Sequence, residues 1–462
     1  MRLYFTGIGL LISSLVPAQP VAEFSLAAQA CRAQDIGLQN QTTGASSYRW
    51  DFCYGGAEAT PIGTNSTFIS AGNSTEGLVI VQDGTQWYGF MANTNANTLL
   101  RLDFGTNPAS NPTVVDLGNP GGLLDRPRDI SLVKTNGVWL ALVTCFNAGS
   151  STTRLIRLNF GTTLNSLPAA QNLANLGGRL IQAYSVDWMA DRGEWIAVIG
   201  DRSQRKILLV NFRTNPTGTP SASADFKELI LPGGGFLKDV ALLRDASGWN
   251  GLALIENGNV FKLEFPGGLF EVPFTVNLTS QVSLTGFPNN AVLLRDVDRY
   301  FAFVLQFEGD LFRLDFGSNL SNSSPIVTNL GRLGTLANVQ GLAMTKMDNH
   351  IYGYSCSIAS QLKRVHFTAP CSGSAASSSL FAPAVNFNQS GTKRISLEAT
   401  NDFGESRVAT ESIQIKEKPT ASFSFSRNCA ADAAVFQDTS VDDGVILSWS
   451  WFFDDPASGA AN

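Results

Sequence analysis

Between about residue 75 and residue 370 the chain repeats one pattern of apolar and polar positions. Six strand-length runs end on phenylalanine: LLRLDF at Phe104, LIRLNF at Phe160, ILLVNF at Phe212, VFKLEF at Phe265, LFRLDF at Phe316 and LKRVHF at Phe367, spaced 51 to 56 residues apart. A turn followed by an aromatic residue keeps the same interval upstream: QDGTQW at Trp87, KTNGVW at Trp139, ADRGEW at Trp195, DASGW at Trp249, DVDRY at Tyr300 and MDNHIY at Tyr352. Two independent markers with one period define an internal structural repeat. Each unit reads as four strands: an apolar run such as GLVIV, a hairpin turn, an aromatic-rich run such as WYGFMA, the LRLDF strand, and a fourth such as TVVDLG. Four short antiparallel strands at this period bury their faces only by packing around a ring, so the pattern predicts an all-β chain with a six-bladed β-propeller. A β-solenoid or an open array of sandwiches is the alternative.

The sixth unit stops early, because TAPCSGSAASSS follows Phe367 where a fourth strand is due. The stretch NSTFISAG, Asn65 to Gly72, precedes the first blade as PTVVDLG precedes the second, and is expected to supply that strand. A ring shut by segments from both ends has no open edge.

The flanks carry a different pattern. Upstream, NQTTGASSYRWDFCYGG (Asn40 to Gly56) puts a strand ending in Trp-Asp-Phe before a Gly-rich turn; downstream, PAVNFNQSGTKRISLEATNDFGES alternates at Ile395, Leu397 and Ala399 before turning at Asn401 to Gly404. Together they resemble the two halves of a PKD domain (the polycystic kidney disease type, an immunoglobulin-like sandwich), whose first half runs N-x-[ST]-x-G-x-x-x-Y-x-W-D-F-G-D-G. The resemblance implies a propeller inserted in the loop after the WDF strand, which is feasible because the two ends of a ring can sit close together. From Pro419 a second PKD-like unit begins, with Cys429 matching Cys31 and Trp451 matching Trp50. The expected organisation is a signal peptide at 1–18, the first half of PKD domain 1 at 19–57, the propeller at 58–372, the second half at 373–417 and a partial PKD domain 2 at 418–462. This architecture is similar to that of the large PKD-repeat surface proteins of the Bacteroidetes, some of which carry C-terminal sorting domains read by type IX secretion. The resemblance implies a longer chain and contact with that secretion machinery. The usual WDFGDG turn is replaced by WDFCYGG and WFFDDPASG, which removes support for calcium binding there.

Export is also written at the N-terminus: Arg2, an apolar run from Leu3 to Val16, and Val-Pro-Ala at positions 16–18 make a cleavable signal, shorter than a membrane span. No later run is apolar enough to cross a bilayer. Six cysteines suit an oxidising compartment. Cys53 and Cys371 flank the neck between the two bodies and are expected to form a disulfide; unpaired thiols, or a partner in Cys31, are the alternatives. No CxxC is present, and two histidines, His350 and His366, are too few for a His-based metal site, so neither metal nor cofactor is expected. The formal charge of −6, without a basic run, argues against nucleic acid.

No nucleophile elbow, P-loop, HExxH or sialidase-type Asp box is found. His366 occupies a slot filled in other units by Asp103, Asn159, Asn211, Glu264 and Asp315, so it reads as structural. The recurring Arg101/Asp103, Arg157/Asn159, Lys262/Glu264 and Arg313/Asp315 read as structural for the same reason. Polar groups that differ between units lie at the start of each innermost strand, facing the axial channel: Glu76, Arg128, Asp129, Tyr184, Lys238, Asp239, Asn289, Asn290 and Gln340. An asymmetric polar ring is what a specific ligand requires; solvation of strand ends is the bland reading. The leading expectation is a secreted, surface-displayed binding or adhesion protein presenting this ring to a glycan or a cell-surface protein. The competing expectations are a polysaccharide-active enzyme using Asp129 and Asp239, and a structural spacer.

Overall fold

The computed structural model describes residues 19–68, 74–284, 286–332, 338–357, 361–426, 433–442, 446 and 448–453. The export signal at 1–18 and Cys429 lie outside the described residues.

Six four-stranded antiparallel sheets follow one another along the chain. The first is built of Thr75–Asp83, Gln86–Asn93, Thr98–Gly105 and Thr113–Asp116 in consecutive order. The innermost strands of the next five are Pro127–Thr135, Ala183–Asp191, Leu237–Asp245, Pro288–Asp296 and Val339–Met347. Each innermost strand neighbours the next, and the sixth neighbours the first, so open sheets form a closed ring, a β-propeller of six blades. The fourth strand of the sixth blade is Ile62–Phe68, paired with Gln361–Thr368. It begins three residues earlier than the pattern predicts, because IGTNSTF has no apolar period to mark its edge.

The core is distributed over six seams. Phe90 and Leu99 of blade 1 pack with Ile130, Val143 and Phe160 of blade 2, and the series runs on to Ala343 and Tyr354 of blade 6 against Leu78 and Met91 of blade 1. Second and third strands are covered on both faces, which is why TrpLeuAlaLeuVal (139–143) reads as a continuous apolar run rather than an alternating one.

Three hydrogen-bonding devices tie the blades together. The recurrent cation of the third strand reaches backbone carbonyls of the following blade: Arg101 to Leu164 O at 3.2 Å, Arg157 to Pro216 O at 2.9 Å, Lys262 to Ser321 O, Arg313 to Ala57 O at 2.9 Å and Arg364 to Ala109 O. The aspartate at the end of the first strand accepts a backbone N–H from the next blade: Asp83 from Leu164, Asp191 from Leu269, Asp245 from Leu320 and Asp296 from Ala57. The period of these charges is thus the period of the seams. The third device lies in the channel, where a polar side chain of one innermost strand accepts a backbone N–H of the next.

Every innermost strand slips register near its start, by a bulge at Thr75/Leu78, Pro127/Asp129, Ala183/Ser185, Leu237/Asp239, Pro288/Asn290 and Gln340/Leu342. At the closing seam the bulge holds Gly341 at φ +69°, where a Cβ would lie 2.1 Å from Glu76 O. Gly341→Ala is expected to cost about 2–5 kcal/mol, the sum of a left-handed non-glycine residue and overpacking against backbone. Gly105→Ala, at φ +72° with nothing near the added carbon, should cost only about 1 kcal/mol. Urea denaturation of the two variants separates clash from backbone preference; equal losses would remove the close approach as the reason for glycine.

Outside the ring a five-stranded sheet has the order Gln29–Cys31, Ser406–Lys416, Gly391–Thr400, Ser47–Asp51, Ser377–Ser378. Trp50 pairs with Leu397 and Tyr48 with Ala399, so segments on either side of the propeller are strand neighbours. Two short pairs, Phe24–Ser25 with Gln39–Asn40 and Ile36–Gly37 with Ala384–Val385, cover this sheet, and Phe24, Trp50, Phe387, Ile395 and Ile413 fill the space between. Cys53 and Cys371 are disulfide-bonded, with Cα atoms 5.0 Å apart, across 318 positions of sequence. Cys31 is a free, exposed thiol. A further hairpin pairs Phe423–Ser426 with Val435–Asp438.

Candidate functional site

The blade face that carries the starts of the innermost strands is turned away from the five-stranded sheet. The sheet instead meets the opposite ends: Glu405 accepts from Gly193 N in the blade 3 hairpin at 3.0 Å, and Arg394 pairs with Asp298 in the blade 5 hairpin at 2.9 Å.

On the outward face Glu76, Arg128, Asp129, Tyr184, Lys238, Asn289, Asn290 and Gln340 line a single polar cleft of about 10 Å³, room for little more than a water molecule. Asp239 lies just beneath, in the wall of the axial channel. The bulge divides these nine into two sets. Its bulged residue points sideways: Asp129 Oδ2 accepts Val186 N at 2.8 Å, Asp239 Oδ2 accepts Ala291 N at 2.8 Å, and Asn290 Oδ1 accepts Gly341 N at 2.7 Å. Each is a clasp to the following blade. One turn of pleat deeper, Asp187 Oδ2 accepts Leu242 N at 3.1 Å. Asp129 and Asp239 also accept from Ile130 N and Val240 N, both at 2.9 Å.

The preceding residues point into the mouth. Arg128 Nη1 contacts Glu76 Oε1 at 2.5 Å, its Nε donates to Phe146 O at 3.1 Å, and its guanidinium lies 5.7 Å from the Tyr184 ring. Lys238 Nζ lies 3.4 Å from the Tyr184 hydroxyl and 5.0 Å from the ring centre. Asn289 is buried and donates to Val339 O at 2.9 Å. Cations on an aromatic face are held by its quadrupole, so Tyr184 is the hub of the plug. Burial pushes the Tyr184 phenol up, and the Glu76 charge adds to this; the hydroxyl is neutral at all working pH.

Groups absent from the sequence reading complete the face. Arg202 lies 5.5 Å from the Tyr184 ring and 4.3 Å from Phe236, and pairs with Glu256 at 3.2 Å. Phe236 and Phe287, in the slot immediately before the innermost strands, are 43% and 54% exposed, large for phenylalanine on a folded surface. For Arg202 and Glu256 a signal was present: the position seven residues beyond the turn aromatic reads Thr94, Phe146, Arg202, Glu256 and Phe307 in blades 1 to 5, differing from blade to blade.

Beneath the plug the channel is a cavity of about 330 Å³ walled by Leu78, Trp188, Leu293 and Met344 together with Asp129, Asp187 and Asp239. Burial raises all three carboxyls, and repulsion from Asp239 raises Asp129 and Asp187 further. Carboxyls with separated pKa values serve acid–base chemistry when a substrate reaches them. Here both oxygens of Asp129 and of Asp239 are occupied by backbone N–H groups, and the Arg128–Glu76 pair and Tyr184 stand above them. The arrangement fits a fastener, not a hydrolytic pair. Among the described residues no group of three or more His, Cys, Asp and Glu is placed to hold a metal ion. His350 Nδ1 and His366 Nε2 lie 2.9 Å apart on the outer part of blade 6, with His366 stacked on Tyr352.

No protein family and no curated protein matches the chain. Among solved structures it is similar to the sialidase of Trypanosoma rangeli (9% identity, TM-score 0.43, 66% of this chain and 59% of that one). It is also similar to YCF48 from Cyanidioschyzon merolae (10%, 0.38, 66% and 98%) and to a GH43_1 enzyme from Xanthomonas citri complexed with xylotriose (13%, 0.36, 68% and 92%). The chain thus spans about 59% of the length of the sialidases it matches.

Proposed function

We propose that this chain is a secreted, surface-displayed binding protein, a six-bladed propeller head on a PKD-type stalk that offers its outward face to a glycan or a cell-surface protein. A PKD-repeat architecture of the Bacteroidetes type, and delivery by a sorting domain, belong to the same reading and rest on the motifs around Trp50 and Trp451. One observation carries the binding role. The face opposite the five-stranded sheet gathers blade-specific cations, a tyrosine hub and two exposed phenylalanines, while the carboxylates an enzyme would need are spent on seams. Exposed aromatic rings beside fixed polar groups are the usual makings of a saccharide platform.

The test is binding of the purified chain to an immobilised glycan panel, with Phe236→Ala as the probe of the face. That side chain is exposed, so the fold should survive, and binding should fall about tenfold or more, about 1.4 kcal/mol. Retained binding in Phe236→Ala and in Phe287→Ala would move the site elsewhere. Release of reducing ends, lost in Asp129→Asn, would make the protein an enzyme instead.

A further inference from the structure

We propose that the amino group of Lys238, with Arg202 beside it, is the anchor for a single carboxylate, and that the ligand of the outward face is therefore an acidic sugar of the uronate kind. This rests on the reading of that face as a binding surface and narrows it to a chemical class.

The argument starts from charge balance. Three cations surround Tyr184: Arg128, Arg202 and Lys238. Arg128 is paired with Glu76 and Arg202 with Glu256. Lys238 has only the Tyr184 hydroxyl, at 3.4 Å, and among the described residues no carboxylate lies within 4.0 Å of its Nζ. Three other sheltered lysines are paired with carboxylates: Lys346 with Asp51 and Asp296, Lys262 with Glu264, Lys206 with Glu228. Lys238 is half-buried, and desolvation draws its pKa below the usual lysine range, with the charges of Glu256 and Glu76, neither in contact with it, offsetting this only in part. An ammonium kept out of water without a counter-ion is costly, and such groups persist where a ligand supplies the missing charge.

Around the Tyr184 ring the cations exceed the carboxylates by one, the neighbouring Asp239 having both oxygens taken by Ala291 N and Val240 N, so the face suits one monovalent anion. A phosphate would bring a second charge against Glu256 and Glu76. Arg202 adds a planar donor fork suited to a carboxylate, and its Nε has no partner in the structure. Phe236, 4.3 Å from the Arg202 guanidinium, supplies the apolar surface on which the ring attached to that carboxylate can lie. A carboxylate and a flat apolar face within one side chain's reach describe a uronate better than they describe an acidic peptide, which has no such ring.

The experiment is calorimetry of the whole chain with oligogalacturonate and hyaluronan oligosaccharides, against their carboxyl-reduced counterparts and against poly-glutamate. At least one acidic oligosaccharide should bind tenfold or more tighter than its reduced counterpart. Lys238→Gln should lose at least tenfold while its thermal midpoint stays level or rises, since an unpaired charge has been removed. Affinity should fall with added salt, and fall again as pH rises through the lowered lysine pKa. Arg202→Gln is the second variant should Lys238→Gln fail to fold. Equal binding of acidic and reduced sugars, unchanged by Lys238→Gln but lost in Phe236→Ala, would overturn the carboxylate anchor and leave the binding face standing. Poly-glutamate binding as well as the sugars would overturn the uronate class. No binding of any probe, with Phe236→Ala silent, would overturn both.

Discussion

Lys346→Met is expected to destabilise the protein by about 3–5 kcal/mol, the range for removing one member of a buried ion cluster. Lys346 Nζ lies 2.5 Å from Asp51 Oδ2, 2.9 Å from Asp296 Oδ1 and 3.3 Å from Cys53 O. All three side chains are nearly closed to solvent, with Asp296 at 1% exposure. Asp51 ends the strand that pairs with Leu397's neighbour Ser396, Asp296 ends an innermost propeller strand, and Lys346 belongs to the next blade. One ammonium therefore fastens the head to the body that holds it, beside the Cys53–Cys371 bond. Burial already raises the Asp51 carboxyl against the pull of Lys346. With the cation gone, two acids are left facing each other in low dielectric, and the native state must protonate them, so the loss should grow as pH rises from 5 to 8. The triple change Lys346→Met, Asp51→Asn, Asp296→Asn should recover most of the stability, because the charges to be buried have gone. Urea denaturation followed by tryptophan emission reads all three. A Lys346→Met chain within 1 kcal/mol of the parent would show the neck to be held by other contacts.

What could be read from the sequence follows from what the physics repeats. A blade must bury both faces of its middle strands, so the Phe104 to Phe367 series is forced to recur and is visible. The WDF strand at Trp50 and the Ile395 strand announce themselves by alternation, and their pairing required only that the ring's ends meet. The polar ring was visible as a slot, yet the division of labour within it was not. Arg128 and Asp129 are adjacent polar residues, and only the bulge decides that one faces the mouth while the other clasps Val186. Arg202 and Glu256 hold a slot that differs from blade to blade, seven residues beyond the turn aromatic, but Phe236 reaches the site from a linking loop where no periodicity exists to carry a signal. Strand Ile62–Phe68 was placed late for the same reason: a Thr, Ser and Asn stretch takes its ends from its partner, not from itself.

The second large effect is on the pH profile of stability. Asp129 and Asp239 are pushed up to about 8 and about 6 by burial, with Asp239 adding to the rise at Asp129; Asp187 lies well above the carboxylate range for the same reasons. In the unfolded chain each returns to about 4. Between about 4 and about 8 the folded state therefore holds more protons than the unfolded one, and its stability must fall as pH rises, by about 1.4 kcal/mol per pH unit for each proton of difference. The contribution is complete below the unfolded value and gone above the folded one. Carboxyls held low by partners, such as Asp83 beside Lys134 and Asp225 beside Arg213, work in the opposite direction and lose their contribution only as pH falls below about 4. The expected profile has its maximum at about pH 4 and declines toward pH 8. Asp129→Asn keeps one acceptor for Val186 N but turns an amide donor toward Ile130 N, so at pH 5 it should be about 1–2 kcal/mol less stable than the parent. Having no proton to lose, it should decline less steeply by about 1.4 kcal/mol per pH unit, so the two curves should cross at about pH 6 and the variant should be the more stable of the two at pH 8. Urea midpoints at half-unit steps from pH 4.5 to 8.5 decide the matter: parallel curves for the parent and for Asp129→Asn combined with Asp239→Asn would mean that these carboxyls titrate normally and that channel water, not the seam, is their partner.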